Sequence, residues 1–220
     1  MLFFNLHTHS FTNQSTVIEL VNQYPWEFNE ILPVYSIGIH PWYINEQRLT
    51  ADLAFIKIKL QDTNCLALGE CGLDKKIDIA MPIQEDVFEK QLLLAQEYNK
   101  PVVLHCVAAY DELIAIKNRL KITVPIIIHG FSKSEQLAKQ LINNDFYLSF
   151  GKHLLRNPGL EKVFLSVPND RIFLETDTST ENIQEVYAMA AKYYSCTIEE
   201  MQQLTSNNFE LVFKTSLSRI

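Results

Sequence analysis

The 220-residue chain reads as an α/β protein: seven or eight strand–helix units forming a distorted (β/α) barrel, in a single domain over residues 1–220. Three observations predict this. Short apolar, β-branched runs recur, and polar stretches with helical patterning follow them, the signature of parallel strands alternating with covering helices. No Gly/Ser/Pro-rich linker, low-complexity tract or internal repeat divides the chain. An apolar content of 47% is ample to fill one core at this length.

Each element follows in order. The first run, Leu2–Leu6, leads into His7-Thr8-His9. Thr16–Val21 supplies the optional eighth strand. Residues 11–33 are too few for a full covering helix and its loops, so the distortion is expected there. Val34–Ile39 precedes His40, and Leu66–Gly69 precedes Glu70. A helix is predicted over Gln84–Asn99, where Val87, Phe88, Gln91, Leu92, Leu94 and Ala95 recur at helical spacing behind acidic residues that suit a helix start. Val102–Leu104 precedes His105 and a helix over Ala108–Leu120; Ile126–Ile128 precedes His129 and a helix over Lys133–Asn143. Phe146–Phe150 is followed by a helix over Pro158–Val167. Ile172–Glu175 comes just before Asp177, and helices over Glu181–Tyr194 and Ile198–Thr215 complete the chain.

The placement of histidine carries the functional reading. Five of the six, His7, His9, His40, His105 and His129, come immediately after predicted strands, and His153 lies slightly further out. Core histidines do not scatter in that way. With Glu70 and Asp177 they set ionisable side chains at the carboxyl ends of the strands, the functional face of a β/α barrel. Neutral imidazole and carboxylate are ligands for Zn²⁺ and Mn²⁺ and, with more carboxylate and water, for Mg²⁺. One or two divalent ions are therefore the expected cofactor. His7 and His9 share a face only while the chain stays extended through them. Asp177 is favoured as ligand or base over a capping role, because Thr178, Ser179 and Thr180 are better caps. Glu175 would share its face, with a supporting role and a purely structural one both open.

A formal charge of −7 excludes a protein that coats long stretches of nucleic acid, although not an enzyme that grips one end, since bound cations add charge of their own. Four cysteines without a CxxC pair suit a reducing compartment and buried thiols. The opening Met1–His7 is too short an apolar run for a signal peptide, and no later run reaches membrane-spanning length. A cytoplasmic location with no membrane partner is expected, and no obligate protein partner is indicated.

Taken together, Leu6-His7-Thr8-His9, Gly38-Ile39-His40-Pro41, Leu68-Gly69-Glu70-Cys71-Gly72-Leu73-Asp74, Pro101-Val102-Val103-Leu104-His105, Ile128-His129-Gly130-Phe131-Ser132, Phe146-Tyr147-Leu148-Ser149-Phe150 and Leu174-Glu175-Thr176-Asp177 resemble, in order and spacing, the TatD family of metal-dependent deoxyribonucleases. The resemblance runs along nearly the whole chain. It implies a TIM-like barrel binding metal through His7, His9, Glu70, His105, His129 and Asp177, with Glu70 bridging the ions, Asp177 orienting the attacking water, and His40 meeting the phosphate. DNA or a nucleotide fragment would be the substrate. The chain departs from the family pattern at Thr178-Ser179, where a small residue and proline are usual, and at Gly130 and Ser132 with its successor, where Cys and Gly are missing.

Three other functions compete. A polymerase-and-histidinol-phosphatase-type phosphoesterase shares the opening HxH, but the second HxH and the late Asp-x-His it requires are absent: Ile127 precedes His129 by two and Ser179 follows Asp177 by two. A small-molecule amidohydrolase or lactonase would use the same metals, often with a modified Lys where Glu70 stands. A non-catalytic barrel would not need every ligand kept. For a nucleic-acid substrate, Lys152, Arg156 and Trp42 are the first candidates for contacts, with Lys75, Lys76 and Lys133 as further cations and Tyr43 and Phe131 as further stacking rings.

Overall fold

A computed structural model describes residues 2–220; Met1, where the domain and leader readings begin, lies outside the described residues. Strands and helices alternate as β1 (Phe3–Thr8), β2 (Val17–Gln23), β3 (Tyr35–Ile37), α1 (Leu49–Lys59), β4 (Cys65–Asp74), α2 (Met81–Glu97), β5 (Val102–Val107), α3 (Tyr110–Leu120), β6 (Ile126–Ile128), α4 (Glu135–Ile142), β7 (Phe146–Phe150), α5 (Lys152–Arg156), α6 (Leu160–Ser166), β8 (Ile172–Leu174), α7 (Ile183–Tyr194) and α8 (Ile198–Phe213). The Thr16–Val21 run is thus a strand, which settles the count at eight. Between β1 and β3 the described residues contain no α-helix, only a 3-10 turn at Pro25–Glu27, as the shortness of that segment requires. Two compact units make up the fold: the chain up to Val21 together with Ile127–Ile220, and Asn22–Ile126.

In the first unit β1 pairs in parallel with β2, from Phe3 opposite Val17 to Thr8 opposite Val21, and β7 pairs in parallel with β8. The end of β1 bridges the segment after β8, Thr8 opposite Asp177. Helices α7 and α8 are fastened to β1 by Tyr187, fully buried, whose hydroxyl donates to Phe4 O at 3.0 Å, accepts from Phe4 N at 3.2 Å and lies 2.8 Å from Thr205 Oγ1. Phe4, Phe209 and Phe213 pack edge-on or stacked beneath it. Both helices start with complete capping boxes, Asn182 with Glu185 and Thr197 with Glu200. Asn182, and not Thr178, Ser179 or Thr180, is therefore the cap of α7, and Asp177 stands five residues clear of it.

In the second unit β3, β4 and β5 are parallel neighbours in chain order. From α2, buried Gln91 clamps the Ile39 backbone through Oε1 to N (2.7 Å) and Nε2 to O (3.1 Å). Buried Gln84 does the same for Asp74, with Oε1 accepting from its N at 2.8 Å and Nε2 donating to its O at 2.9 Å. The helix starts at Met81 with Pro82 in its first turn, ahead of the acidic residues that suggested a start near Gln84.

Helix α1 was not anticipated. Its apolar residues Leu53, Phe55, Ile56, Ile58 and Leu60 lie on several faces, and the Phe55–Leu60 stretch alternates as a strand would. The four cysteines are thiols, and Cys65, Cys71 and Cys106 are buried as expected. Among the described residues no helix is long and apolar enough to cross a membrane.

Candidate metal-binding clusters

Strands β1, β4 and β5 run two to five residues past the predicted ends, which were Leu6, Gly69 and Leu104, so His7, Glu70 and His105 lie inside their strands and not after them. Within each unit, taken by itself, ligand-type side chains come together.

In the first unit the cluster is built by backbone pairing. Asp177 N and Thr176 N donate to His7 O at 2.9 and 3.4 Å, and His9 N donates to Asp177 O at 3.3 Å. Asn5 locks the same junction, Nδ2 to Thr176 Oγ1 at 2.8 Å and Oδ1 from Thr176 N at 3.0 Å. Asp177 has a left-handed backbone, φ 56°, which Asp tolerates better than most residues and which turns its carboxylate back toward β1. His7 Nε2 and His9 Nε2 lie 3.8 and 3.7 Å from Asp177 Oδ1. The His7 and His129 rings are 4.4 Å apart, and ligand atoms of His7, His129 and Asp177 all lie within 4.8 Å of one another. Glu175, buried, accepts the Gly130 N–H at Oε1 (2.7 Å) and faces His129 Nδ1 with the same atom (3.4 Å). Lys152 Nζ donates to Asp177 Oδ2 at 3.0 Å. Burial alone would raise the Asp177 carboxyl, but the His129 and His7 imidazoles and the Lys152 ammonium outweigh it and hold it below the ordinary carboxylate value.

In the second unit the strand register does the work. Glu70, Gly72 and Asp74 alternate onto one face of β4, and His105 of β5 is the partner of Gly72. Its imidazole therefore falls between the two carboxylates, Nδ1 3.1 Å from Glu70 Oε1 and Nε2 3.3 Å from Asp74 Oδ2. Glycine is required for this approach: at φ 144° a Cβ on Gly72 would strike the His105 carbonyl oxygen, and one on Gly69 (φ 141°) would strike that of Val103. Asn22 Oδ1 accepts the Glu70 N–H at 2.6 Å. His40 takes the Trp42 N–H on Nδ1 (3.1 Å), which leaves its proton on Nε2, 3.2 Å from Glu70 Oε1. Ligand atoms of His40, Glu70 and His105 lie within 4.8 Å of one another. The Asp74 carboxyl is lowered: burial would raise it, and hydrogen bonds from Trp42, the Lys76 N–H and His105 outweigh that.

The predicted substrate contacts separate. Lys152 sits beside Asp177. Trp42 is 54% exposed and Tyr43 45%. Arg156 pairs with Glu181, Nε to Oε1 at 2.6 Å, and Lys75 with Glu112. Phe131 cannot stack on a base, because it is 2% exposed and packs edge-on against Phe150. Sequence reasoning assigned no role to Asp74, although its spacing of four from Glu70 in an extended strand would have put both on one face. Asn22 and Gln84 gave no signal, since their roles are backbone contacts.

Residues 2–214 match the family model described as TatD related DNase. The Bacillus subtilis (strain 168) protein named uncharacterized metal-dependent hydrolase YabD is 31% identical over 197 residues, 81% of this chain and 76% of its own length. The 3'-5' ssDNA/RNA exonuclease TatD of Cronobacter sakazakii is 33% identical over 147 residues, 64% of this chain and 56% of its own. Among solved structures, YJJV, a TatD homologue from Escherichia coli K12, superposes with a TM-score of 0.82 at 22% identity, covering 97% of this chain and 98% of that one. That likeness shows the fold, an α/β TIM-like barrel.

Proposed function

The chain belongs to the TatD-related DNase family and is a metal-dependent hydrolase acting on ester bonds, and from that premise we propose that it is a deoxyribonuclease that cleaves phosphodiester bonds from an end of a DNA strand. The observation that carries the reading is the meeting of His7, His129 and Asp177, and of Glu70 and His105 with the donor His40 beside them, three side-chain atoms within 4.8 Å of one another in each case. Mixed imidazole nitrogen and carboxylate oxygen fit one or two divalent ions of the Mg²⁺, Mn²⁺ or Zn²⁺ kind. His7, His9, Glu70, His105, His129 and Asp177 would hold them. When bound, such an ion supplies a water of lowered pKa and charge against a phosphoryl oxygen.

The chain's own residues supply the rest. Asp177, held ionised by its neighbours, accepts the proton of the attacking water at a carboxylate oxygen. His40 is a donor, its Nε2 proton available to Glu70 or to a substrate phosphate. Lys152 brings a positive charge beside Asp177 for a phosphate oxygen to meet. The Cronobacter sakazakii relative is named as a 3'-5' exonuclease on ssDNA and RNA, which supports an end-acting enzyme on single strands.

Digestion of end-labelled single-stranded DNA by chelator-stripped protein, with Mg²⁺, Mn²⁺ or Zn²⁺ restored, tests this directly beside Asp177→Asn. Metal-dependent stepwise shortening that the variant lacks is the expected result. Amide or lactone substrates turning over faster than any DNA would replace it with a small-molecule hydrolase.

A further inference from the structure

The 3-10 turn Pro41–Tyr43 follows His40 directly and presents two aromatic rings to solvent, Trp42 at 54% and Tyr43 at 45% exposure. Neither is loose. The Trp42 indole N–H donates to Asp74 Oδ2 at 2.7 Å, and Asp74 itself is 2% exposed. The Trp42 ring stands perpendicular to His40, centroids 5.2 Å apart, and near-perpendicular to His105 at 6.0 Å. Tyr43 is pinned through its backbone, N to His40 O at 3.0 Å and O from Arg48 Nη2 at 2.8 Å. Its ring is edge-on to Tyr24 and Trp26, which stack on each other at 5.0 Å, with the Arg48 guanidinium 3.7 Å over Trp26.

The N–H to Asp74 and the ring contacts with His40 and His105 fix the indole in place, yet about half of the residue stays in water. A buried tryptophan would gain more from burial, and an exposed polar residue would cost less. What the arrangement offers is a flat π-surface, already ordered, beside a cluster of metal-ligand type. Ordering before binding spares the entropy of immobilising the side chain. The ligand matching an exposed aromatic ring without hydrogen-bond readout is a nucleobase whose own face is open, as in a single strand.

We propose that Trp42, seconded by Tyr43, is a stacking subsite for an unpaired base of a single-stranded nucleic acid bound at the His40/Glu70/His105 cluster. Asp74 is its anchor. The same carboxylate oxygen that holds the Trp42 N–H lies 3.3 Å from His105 Nε2, so the ring that takes the base and the imidazole that takes the metal share one support. The inference rests on the deoxyribonuclease reading and adds the part of the substrate that is recognised.

Affinity is measured by fluorescence anisotropy in an Asp177→Asn background with metal present. The probes are a short thymidine oligonucleotide and versions carrying one abasic residue at each position in turn. Loss of a stacked base weakens binding on the order of ten-fold, and the penalty is expected at one position, with a smaller one beside it. In Trp42→Leu and in Trp42→Gln, which keeps a donor for Asp74 without a ring, the larger penalty disappears. In Trp42→Phe, which keeps a ring without the donor, it remains. A penalty as large in Trp42→Gln as in the parent overturns the subsite while leaving the nuclease reading intact. Failure of the parent to bind any single strand overturns the nuclease reading, and the subsite with it.

Discussion

Glu175 is the residue at which structural support and metal support can be separated by experiment. Its carboxylate is 1% exposed, and one oxygen serves both the Gly130 N–H at 2.7 Å and His129 Nδ1 at 3.4 Å. Glu175→Ala removes that acceptor from two groups, and a buried donor left unsatisfied costs about 1–3 kcal/mol. The contact to His129 is long, so the lower half of the range applies to it and the metal-free protein should lose about 2–5 kcal/mol. That is a large share of the roughly 5–15 kcal/mol that holds a domain folded. Glu175→Gln keeps a carbonyl oxygen at the same place and should restore part of this, since its amide nitrogen takes the place of Oε2, which is buried without a hydrogen-bond partner, and is itself left unsatisfied. It does not restore the negative charge that raises the basicity of a ligating imidazole, and loss of such a carboxylate costs about 10–100-fold in metal affinity. Urea unfolding of chelator-treated protein reads the first quantity, and calorimetric titration with Mn²⁺ or Zn²⁺ the second. The expected pattern is a Glu175→Gln protein that is more stable than Glu175→Ala and binds metal about ten-fold more weakly than the parent. A Glu175→Gln protein that binds metal as tightly as the parent would refute the assignment and leave Glu175 as a fastener for Gly130.

Four further outcomes follow from the same structure. Gly72→Ala should lower the unfolding free energy read from urea denaturation by about 2 kcal/mol or more, because its φ of 144° and the His105 carbonyl oxygen both reject a Cβ; an unchanged free energy would mean that β4 and β5 are not in this register. Lys152→Ala should weaken single-strand binding and reduce the slope of log K against log salt by about 0.7, and an unaltered slope would remove Lys152 from the phosphate path. Burial, with Lys152, Lys133 and Arg156 nearby, holds His153 below the ordinary imidazole value of 6.5, so the folded state protonates less readily than the unfolded one. Its contribution to stability is whole above about pH 6.5 and is lost as pH falls through the lowered value, and His153→Gln should flatten that part of a stability-against-pH curve. Burial pushes the Cys65 and Cys106 thiols up to about 12, whereas Cys196 is partly exposed, so mass spectrometry after brief alkylation of native protein at neutral pH should find Cys196 modified first.

The candidate ligands were legible in the sequence because their residue types are uncommon at the ends of apolar runs and because several such runs repeat the pattern. His7, His105 and His129 needed only strand recognition. What sequence reading missed depends on register and backbone. The expected end of β4 at Gly69 reflects how glycine usually interrupts a strand, yet here Gly69 and Gly72 keep it going, since β5 approaches too closely for any side chain at those positions. Helix α1 hid because Phe55–Leu60 alternates like a strand. Phe131 looked available for stacking because it follows a ligand; its ring turns instead onto Phe150.

The least legible feature is also the one with most chemical consequence, the choice of ring nitrogen. A neutral histidine presents one donor and one acceptor, and the carboxylate that takes the donor decides which nitrogen faces the cluster. Asp74 at 3.3 Å from Nε2 turns the His105 Nδ1 toward Glu70, and Glu175 at 3.4 Å from Nδ1 leaves His129 Nε2 for the side of His7 and Asp177. Opposite nitrogens are selected by the same device. In the one case the carboxylate reaches its histidine through strand pairing, Gly72 opposite His105, and in the other through the segment just past β8. Neither Asp74 nor Glu175 need touch an ion to set the geometry in which one is held. That accounts for the position of two acidic residues so close to the candidate ligands yet buried at 2% and 1% exposure, where an acid without a cationic or hydrogen-bonding partner would be costly.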